Sequence, residues 1–172
     1  MLNFHKRAWG LSLATLGILS ALVPARPLQA FPSFDRVGER DYRQCAQGLR
    51  EAGLSPEITA EACAMAIRPS QLAECVSRIG DDTGIAAEEA VLGCVGVRRP
   101  AALATCVFNI TASGSGADPL NVLESCGRSL LPEQYSFCVV GMSQGGADYS
   151  TDDLLEVCLH PPEQFIDLYG ES

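Results

Sequence analysis

Eight cysteines give this chain its clearest chemical signal. They stand at positions 45, 63, 75, 94, 106, 126, 138 and 158. No pair has the C-x₂-C or C-x₄-C spacing of structural zinc sites, and the C-x-x-C-H motif that attaches haem is missing. The C-x-x-C motif of thiol–disulfide oxidoreductases is missing as well. We therefore predict four structural disulfides and no metal or organic cofactor.

Few other side chains have the types and spacing that catalysis needs. His160 is followed by two prolines, and one histidine beyond the first thirty residues gives no basis for a Ser-His-Asp arrangement. Three serines lie in or beside glycine-rich stretches without the context of a nucleophile elbow: Ser113, Ser115 and Ser143. Acidic pairs occur at Asp81-Asp82, Glu88-Glu89 and Asp152-Asp153. We interpret His160 and these acids as residues of helix ends and loops, and we predict no catalytic residue.

The first thirty residues have the pattern of a signal peptide. Lys6 and Arg7 precede sixteen uncharged residues, 8–23, which is fewer than the roughly twenty that cross a bilayer. We expect cleavage after Ala30, with cleavage after Ala25 as the alternative and an uncleaved anchor as a further one. The remaining residues, 31–172, are predicted to form one domain in an extracytoplasmic compartment. Secretion, the periplasm and another oxidising lumen all fit, and the pattern is typical of a bacterial protein.

The charge of the chain limits its partners. The formal net charge is −9, and removal of residues 1–30 makes it −12, because that segment holds three cations and no acid. Such acidity argues against nucleic acid and anionic membranes as partners. We expect no stable membrane anchor once residues 1–30 have been removed. If a protein partner exists, we expect it to be basic or to contact an apolar face.

The cysteine positions reveal a repeat of 31–32 residues. Successive separations alternate between 12 residues and 18–20 residues. Cys63, Cys94 and Cys126 are each followed by a proline, then by a leucine or tyrosine, and then by a valine. Each of these three positions keeps a constant distance from its cysteine in all three copies. Three landmark sets keep this register: Pro69, Pro100 and Pro132; Leu72, Leu103 and Tyr135; Val76, Val107 and Val139. A period of this length marks a repeated supersecondary unit.

Each unit is predicted to contain two short helices. Ser55, Asp118 and Ser150 are good N-caps eight residues before a cysteine, and Ala86 holds the same place. A second helix begins at each landmark proline. Arg68 and Arg99 directly precede two of these prolines, and His160 precedes Pro161 in the last copy, and we expect these basic residues to complement the preceding helix end. Arg98-Arg99 could bind an anion, but this position favours that helix-end role. Loops are expected at 80–84, 113–116 and 144–146. The chain opens with a lone second helix at 41–51 and closes with a lone first helix, so we predict an all-α array of about eight helices, either a compact bundle or a short solenoid.

Two disulfide schemes fit the repeat. One joins cysteines across the Arg-Pro turn, as 63–75, 94–106 and 126–138. The other joins them across the longer loop, as Cys45–Cys63, Cys75–Cys94, Cys106–Cys126 and Cys138–Cys158. Helix geometry permits both. The chain ends favour the second scheme, because only that one pairs all eight cysteines between neighbouring helices.

Two classes of function remain compatible with the sequence. A non-catalytic binding or structural module is favoured, because the repeat accounts for most of the notable residues without invoking a site. The alternative is an extracytoplasmic enzyme or thiol-redox protein whose site forms only in three dimensions.

Overall fold

A computed structural model describes residues 37–114, 116–146 and 148–161. The predicted signal peptide and its cleavage sites lie outside these residues. The described part contains eight α-helices and no strand, which confirms the all-α array. The helices are α1 Glu39–Glu51, α2 Pro56–Met65, α3 Pro69–Thr83, α4 Ala87–Val95, α5 Pro100–Ala112, α6 Pro119–Arg128, α7 Pro132–Gln144 and α8 Thr151–Leu159.

The even-numbered helices begin at the four predicted N-caps. The Ser55 hydroxyl accepts a hydrogen bond from the Ile58 N–H, and the Ser150 hydroxyl accepts one from the Asp153 N–H. The Asp118 carboxylate accepts two, from the N–H groups of the second and third helical residues. These bonds satisfy backbone donors that have no partner within the helix. Ala86 occupies the N-cap position of α4 without a side-chain bond.

The odd-numbered helices after α1 begin at the three landmark prolines. Pro69, Pro100 and Pro132 each stand at the first helical position, where a missing N–H costs no hydrogen bond. The preceding connections are only three or four residues long: 66–68, 96–99 and 129–131. The predicted Arg-Pro turns are therefore confirmed as tight connections.

Helix α3 is longer than the sequence indicated. A loop was expected at 80–84, but α3 continues through Gly80 to Thr83 and ends at Gly84. Gly84 has a φ of 74°, a left-handed conformation that glycine adopts without steric cost, and its N–H donates to the Gly80 carbonyl. The Thr83 hydroxyl donates to the Ile79 carbonyl and accepts from the Ile85 N–H. These bonds stabilise the last turn, so the glycine at 80 does not end the helix.

The eight helices form two rows of four. The odd-numbered helices pack side by side in the order α1, α3, α5, α7, and the even-numbered helices form a looser second row in the order α2, α4, α6, α8. Close packing between the rows joins α1 to α2, α3 to α4, α5 to α6 and α7 to α8. Helices joined by the Arg-Pro turns touch much less. The structural unit is therefore shifted by one helix from the expected one, and the described helices form four complete hairpins instead of three units between two lone helices.

One disulfide lies inside each hairpin. The bridges are Cys45–Cys63, Cys75–Cys94, Cys106–Cys126 and Cys138–Cys158, with Cα–Cα distances of 5.9–6.2 Å. This is the longer-loop scheme. Six of the eight cysteines are 5 % exposed or less, whereas Cys138 and Cys158 are only partly buried.

The landmark positions of the repeat form the core between the two rows. Leu72, Leu103 and the three landmark valines are at most 1 % exposed. Tyr135 replaces leucine in the third copy and is 4 % exposed. Its hydroxyl donates a hydrogen bond of 2.8 Å to the Leu155 carbonyl, which connects α7 to α8. Burial raises the pKa of the Tyr135 phenol, because the charged form would lose its hydration.

We expect Tyr135→Phe to lower the free energy of unfolding by about 1 kcal/mol, since the Leu155 carbonyl loses its phenol partner. The raised pKa adds a pH signature. The unfolded chain releases the Tyr135 proton more readily than the folded chain, so the native protein loses stability as the pH rises above about 10, the ordinary pKa of tyrosine. Urea unfolding at neutral and alkaline pH measures both effects. A Tyr135→Phe variant that loses as much stability at alkaline pH as the native chain would contradict this assignment.

Candidate functional site

The residues that the sequence singled out for catalysis do not form one site. His160 is exposed and is the C-cap of α8, and its N–H donates to the Glu156 carbonyl. Ser113 is the C-cap of α5, and its hydroxyl donates to the Ile110 carbonyl. Ser143 lies in α7, and Ser115 lies outside the described residues. The placement of His160 agrees with its interpretation as a helix-end residue.

The acidic pairs lie at helix termini. Glu88-Glu89 is in the first turn of α4, and Asp152-Asp153 is in the first turn of α8, where acids complement the helix dipole. Asp81-Asp82 lies in the last turn of α3 rather than in a loop. Across the described ranges, no group of three or more histidine, cysteine, aspartate or glutamate side chains is placed to hold a metal ion.

The array separates its charges between two edges. We call the edge with connections 66–68, 96–99 and 129–131 the short-turn edge, and the edge where α1, α3, α5 and α7 end the long-loop edge. Four of the eight described arginines stand at or beside the short turns: Arg68, Arg98, Arg99 and Arg128. Ten of the seventeen described acids stand at the long-loop edge: Glu51, Glu57, Asp81, Asp82, Glu88, Glu89, Asp118, Asp148, Asp152 and Asp153. Half of the described arginines thus stand at one edge of a chain whose formal net charge is −9.

A groove of about 550 Å³ lies on the short-turn edge between two successive turns. Residues 96–99 form one rim, residues 126–130 form the other, and Leu103 and Pro132 contribute to the lining. The volume falls within the range of about 300–1,000 Å³ that is usual for ligand sites. Three arginines line it alongside apolar residues: Arg98, Arg99 and Arg128. The groove can therefore accept a group that is both anionic and apolar.

The three guanidinium groups differ in their partners. Arg99 contacts Glu133 of α7 at 3.2 Å, and Arg128 contacts Glu156 of α8 at 3.4 Å and Glu124 at 3.7 Å. About half of each arginine side chain remains exposed, so these ion pairs add little stability. Arg98 is exposed and has no ion pair within the described residues. None of these guanidinium groups donates to a helix-end carbonyl in the described residues.

A smaller cavity of about 250 Å³ lies at the long-loop edge. Glu51 and Asp81 line it together with Ala52, Val76 and Ile85. Two carboxylates facing one cavity are the arrangement that acid–base hydrolysis uses. Both of these side chains are exposed to solvent, however, whereas catalytic carboxylates usually work in a site from which water is excluded. Catalysis at this cavity is therefore less well supported than binding at the larger groove.

Sequence reasoning identified Arg98-Arg99 but missed the groove. Arg99 meets Glu133 across 34 residues, and Arg128 meets Glu156 across 28. These separations are close to the 31–32 residue period, so equivalent turns of neighbouring units face each other. The period could have shown that basic residues of successive turns accumulate on one edge.

The described helices include none that is long and apolar enough to cross a membrane. No protein-family model matches the chain, and no curated protein or solved structure shows significant similarity to it.

Proposed function

We propose that this chain is a non-catalytic binding module of an oxidising, extracytoplasmic compartment. Its four intrachain disulfides suit such a compartment, because the cytosol keeps thiols reduced. The predicted signal peptide at residues 1–30 supports export to the periplasm or beyond, with Phe31 as the first residue of the mature chain. The disulfide-closed hairpins then act as a rigid scaffold for a binding surface.

The groove on the short-turn edge is the observation that carries this proposal. It combines three arginines with apolar side chains. It lies between two short connections, and each of them leads directly into a helix that begins with a proline. Binding sites typically combine an apolar lining with a few polar groups that set orientation. The basic partner expected from the net charge would contact the long-loop edge instead, where the acids accumulate.

An affinity capture experiment tests the binding function. The native chain and the double variant Arg98→Gln/Leu130→Ser are immobilised in oxidised form and exposed to the same extracytoplasmic extract. We expect the native chain to retain at least one protein that the variant does not retain, because the variant lacks a cation and an apolar side chain of the groove. Titration with that purified protein by calorimetry then measures its Kd. Identical retention by both chains would contradict a binding role for the groove.

A thiol-redox role is the second candidate, and Cys138–Cys158 is the observation that favours it. This bridge is only partly buried, so reductants reach it more easily than the other three. Exposed disulfides are more often the labile or catalytic ones. Reversible reduction of this one pair with retained helicity would support the redox candidate, whereas resistance of all four bridges until the chain unfolds would support the binding module.

A further inference from the structure

We propose that the groove on the short-turn edge binds an extended segment of a partner protein in which acidic and apolar side chains alternate. This inference rests on the proposed binding function and adds the chemistry of the partner. Charge, apolar exposure and the continuity of the surface along the edge each contribute to it.

The charge of the groove selects an acidic segment. Arg98 has no ion pair in the described residues, so its guanidinium can donate to an incoming carboxylate without breaking one. The glutamates that contact Arg99 and Arg128 lie on exposed surface, so a ligand carboxylate can displace them at small cost. Helix dipoles add little here, because α4 and α6 end at this edge while α5 and α7 begin there. The arginine side chains therefore determine the sign of the ligand charge.

The apolar surface of the groove favours a ligand that carries an apolar group as well as an anion. Leu130 is 92 % exposed on the rim, and the adjacent Leu131 is 51 % exposed. Val97 and Leu103 belong to the same lining. Burial of exposed leucine surface contributes about 25 cal/mol for each Å² removed from water. A ligand that covers Leu130 while it pairs with Arg98 must present an apolar group next to an acid.

The surface continues beyond the groove along the same edge. A second depression of about 290 Å³ lies beside the first helical turns of α3, α5 and α7, and Arg99 lines both depressions. Arg68 and Gln71 extend this second depression to the neighbouring unit. Arg68 has no ion pair among the described residues, so it offers a further cation. A track that passes several turns fits an extended peptide better than a compact small molecule.

Binding of three labelled octapeptides tests the proposal. The probes alternate leucine with aspartate, leucine with asparagine or leucine with lysine, and fluorescence anisotropy on the oxidised full chain measures each Kd. We expect the aspartate peptide to bind at least about tenfold more tightly than the asparagine peptide, because several charge-assisted hydrogen bonds are lost with the amide. Added salt should weaken this preference, since it screens exposed charges.

Matched variants locate the binding site. Arg98→Gln should weaken binding of the aspartate peptide about fivefold, whereas Arg78→Gln removes the same charge from α3 outside the groove and should leave it unchanged. Leu130→Ser should weaken binding about tenfold, whereas Leu92→Ser, at a leucine 76 % exposed in α4, should not. Circular dichroism and thermal melting of all four variants verify that they remain folded.

The outcomes distinguish this inference from the proposed function. Equal affinity for the three peptides, or equal effects of Arg98→Gln and Arg78→Gln, would overturn the acidic-segment proposal while protein capture by the native chain still supported a binding module. Sedimentation equilibrium tests whether a second copy of this chain occupies the groove instead. A dimer that Leu130→Ser dissociates would overturn the proposal, because a second copy of this chain would then occupy the groove.

Discussion

Complete reduction of the four disulfides should unfold the array at room temperature. Each bridge closes a loop of 18–20 residues and contributes roughly 3 kcal/mol by restricting the unfolded chain. If the four effects add, they amount to about 12 kcal/mol, which is comparable to the whole stability of a typical domain, about 5–15 kcal/mol. The helices cannot compensate, because they have only 9–15 residues, and isolated helices up to about this length are marginal in water. Far-ultraviolet circular dichroism in excess reductant should show loss of most of the helical signal.

Double variants of single bridges provide the control for this experiment. Cys75→Ser/Cys94→Ser and Cys138→Ser/Cys158→Ser should each lower the free energy of unfolding by about 3 kcal/mol and leave three bridges intact. Retained helicity in the fully reduced chain would show that packing alone sustains the fold. Peptide mapping without reduction checks the pairing, and recovery of a peptide that links Cys94 to Cys106 would contradict it.

Gly48→Ala should lower the free energy of unfolding by about 1–3 kcal/mol, because it overpacks the contact between α1 and α3. A Cβ built at position 48 would lie 2.7 Å from the Cβ of Ala73, and neither atom can turn away. The two helices must therefore separate. Gly141→Ala is the matched control, since position 141 is helical and has open space around it. That control should raise the stability by about 0.5–1 kcal/mol, because glycine costs more conformational entropy in a helix than alanine does.

A double-mutant cycle tests the cause of the Gly48→Ala effect. Ala73→Gly removes the opposing Cβ, so the double variant Gly48→Ala/Ala73→Gly should be more stable than the sum of the two single effects implies. Thermal melts of the four chains measure the coupling. Strict additivity would show that the loss arises elsewhere than in the contact between positions 48 and 73.

Local signals in the sequence predicted most of the helix boundaries. N-capping side chains and first-turn prolines act within four residues, so Ser55, Asp118 and Pro100 could be assigned from sequence alone. The loop expected at 80–84 is wrong, because α3 continues through Gly80 and its left-handed C-cap stands at Gly84. Either glycine could end a helix. The hydrogen bonds of Thr83, which stabilise the last turn of α3 before Gly84, form only in the folded chain.

The sequence did not predict which helices pair closely or where the groove lies, because both features depend on contacts between residues far apart in the chain. The repeat showed alternating helices, but the identity of the close-packed hairpin partners follows from packing between the rows. The sequence showed arginines directly before Pro69 and Pro100 without showing that Arg99 and Glu133 lie side by side. A basic residue can complement its own helix end or line a surface shared with the next turn. The stacking of the units determines which of the two roles it takes. For that reason the net charge alone predicted only a basic or apolar partner.

The placement of every bridge inside a hairpin also determines how the array responds to pulling at its ends. Tension would travel through each disulfide and bypass the loop of 18–20 residues that it closes. Only the three stretches of 12 residues between one bridge and the next could be drawn out, to at most about 40 Å each. Hairpins would part from one another while each remained covalently closed. The oxidised array is therefore a tether of limited extension, whereas its reduced chain could be stretched along its full length.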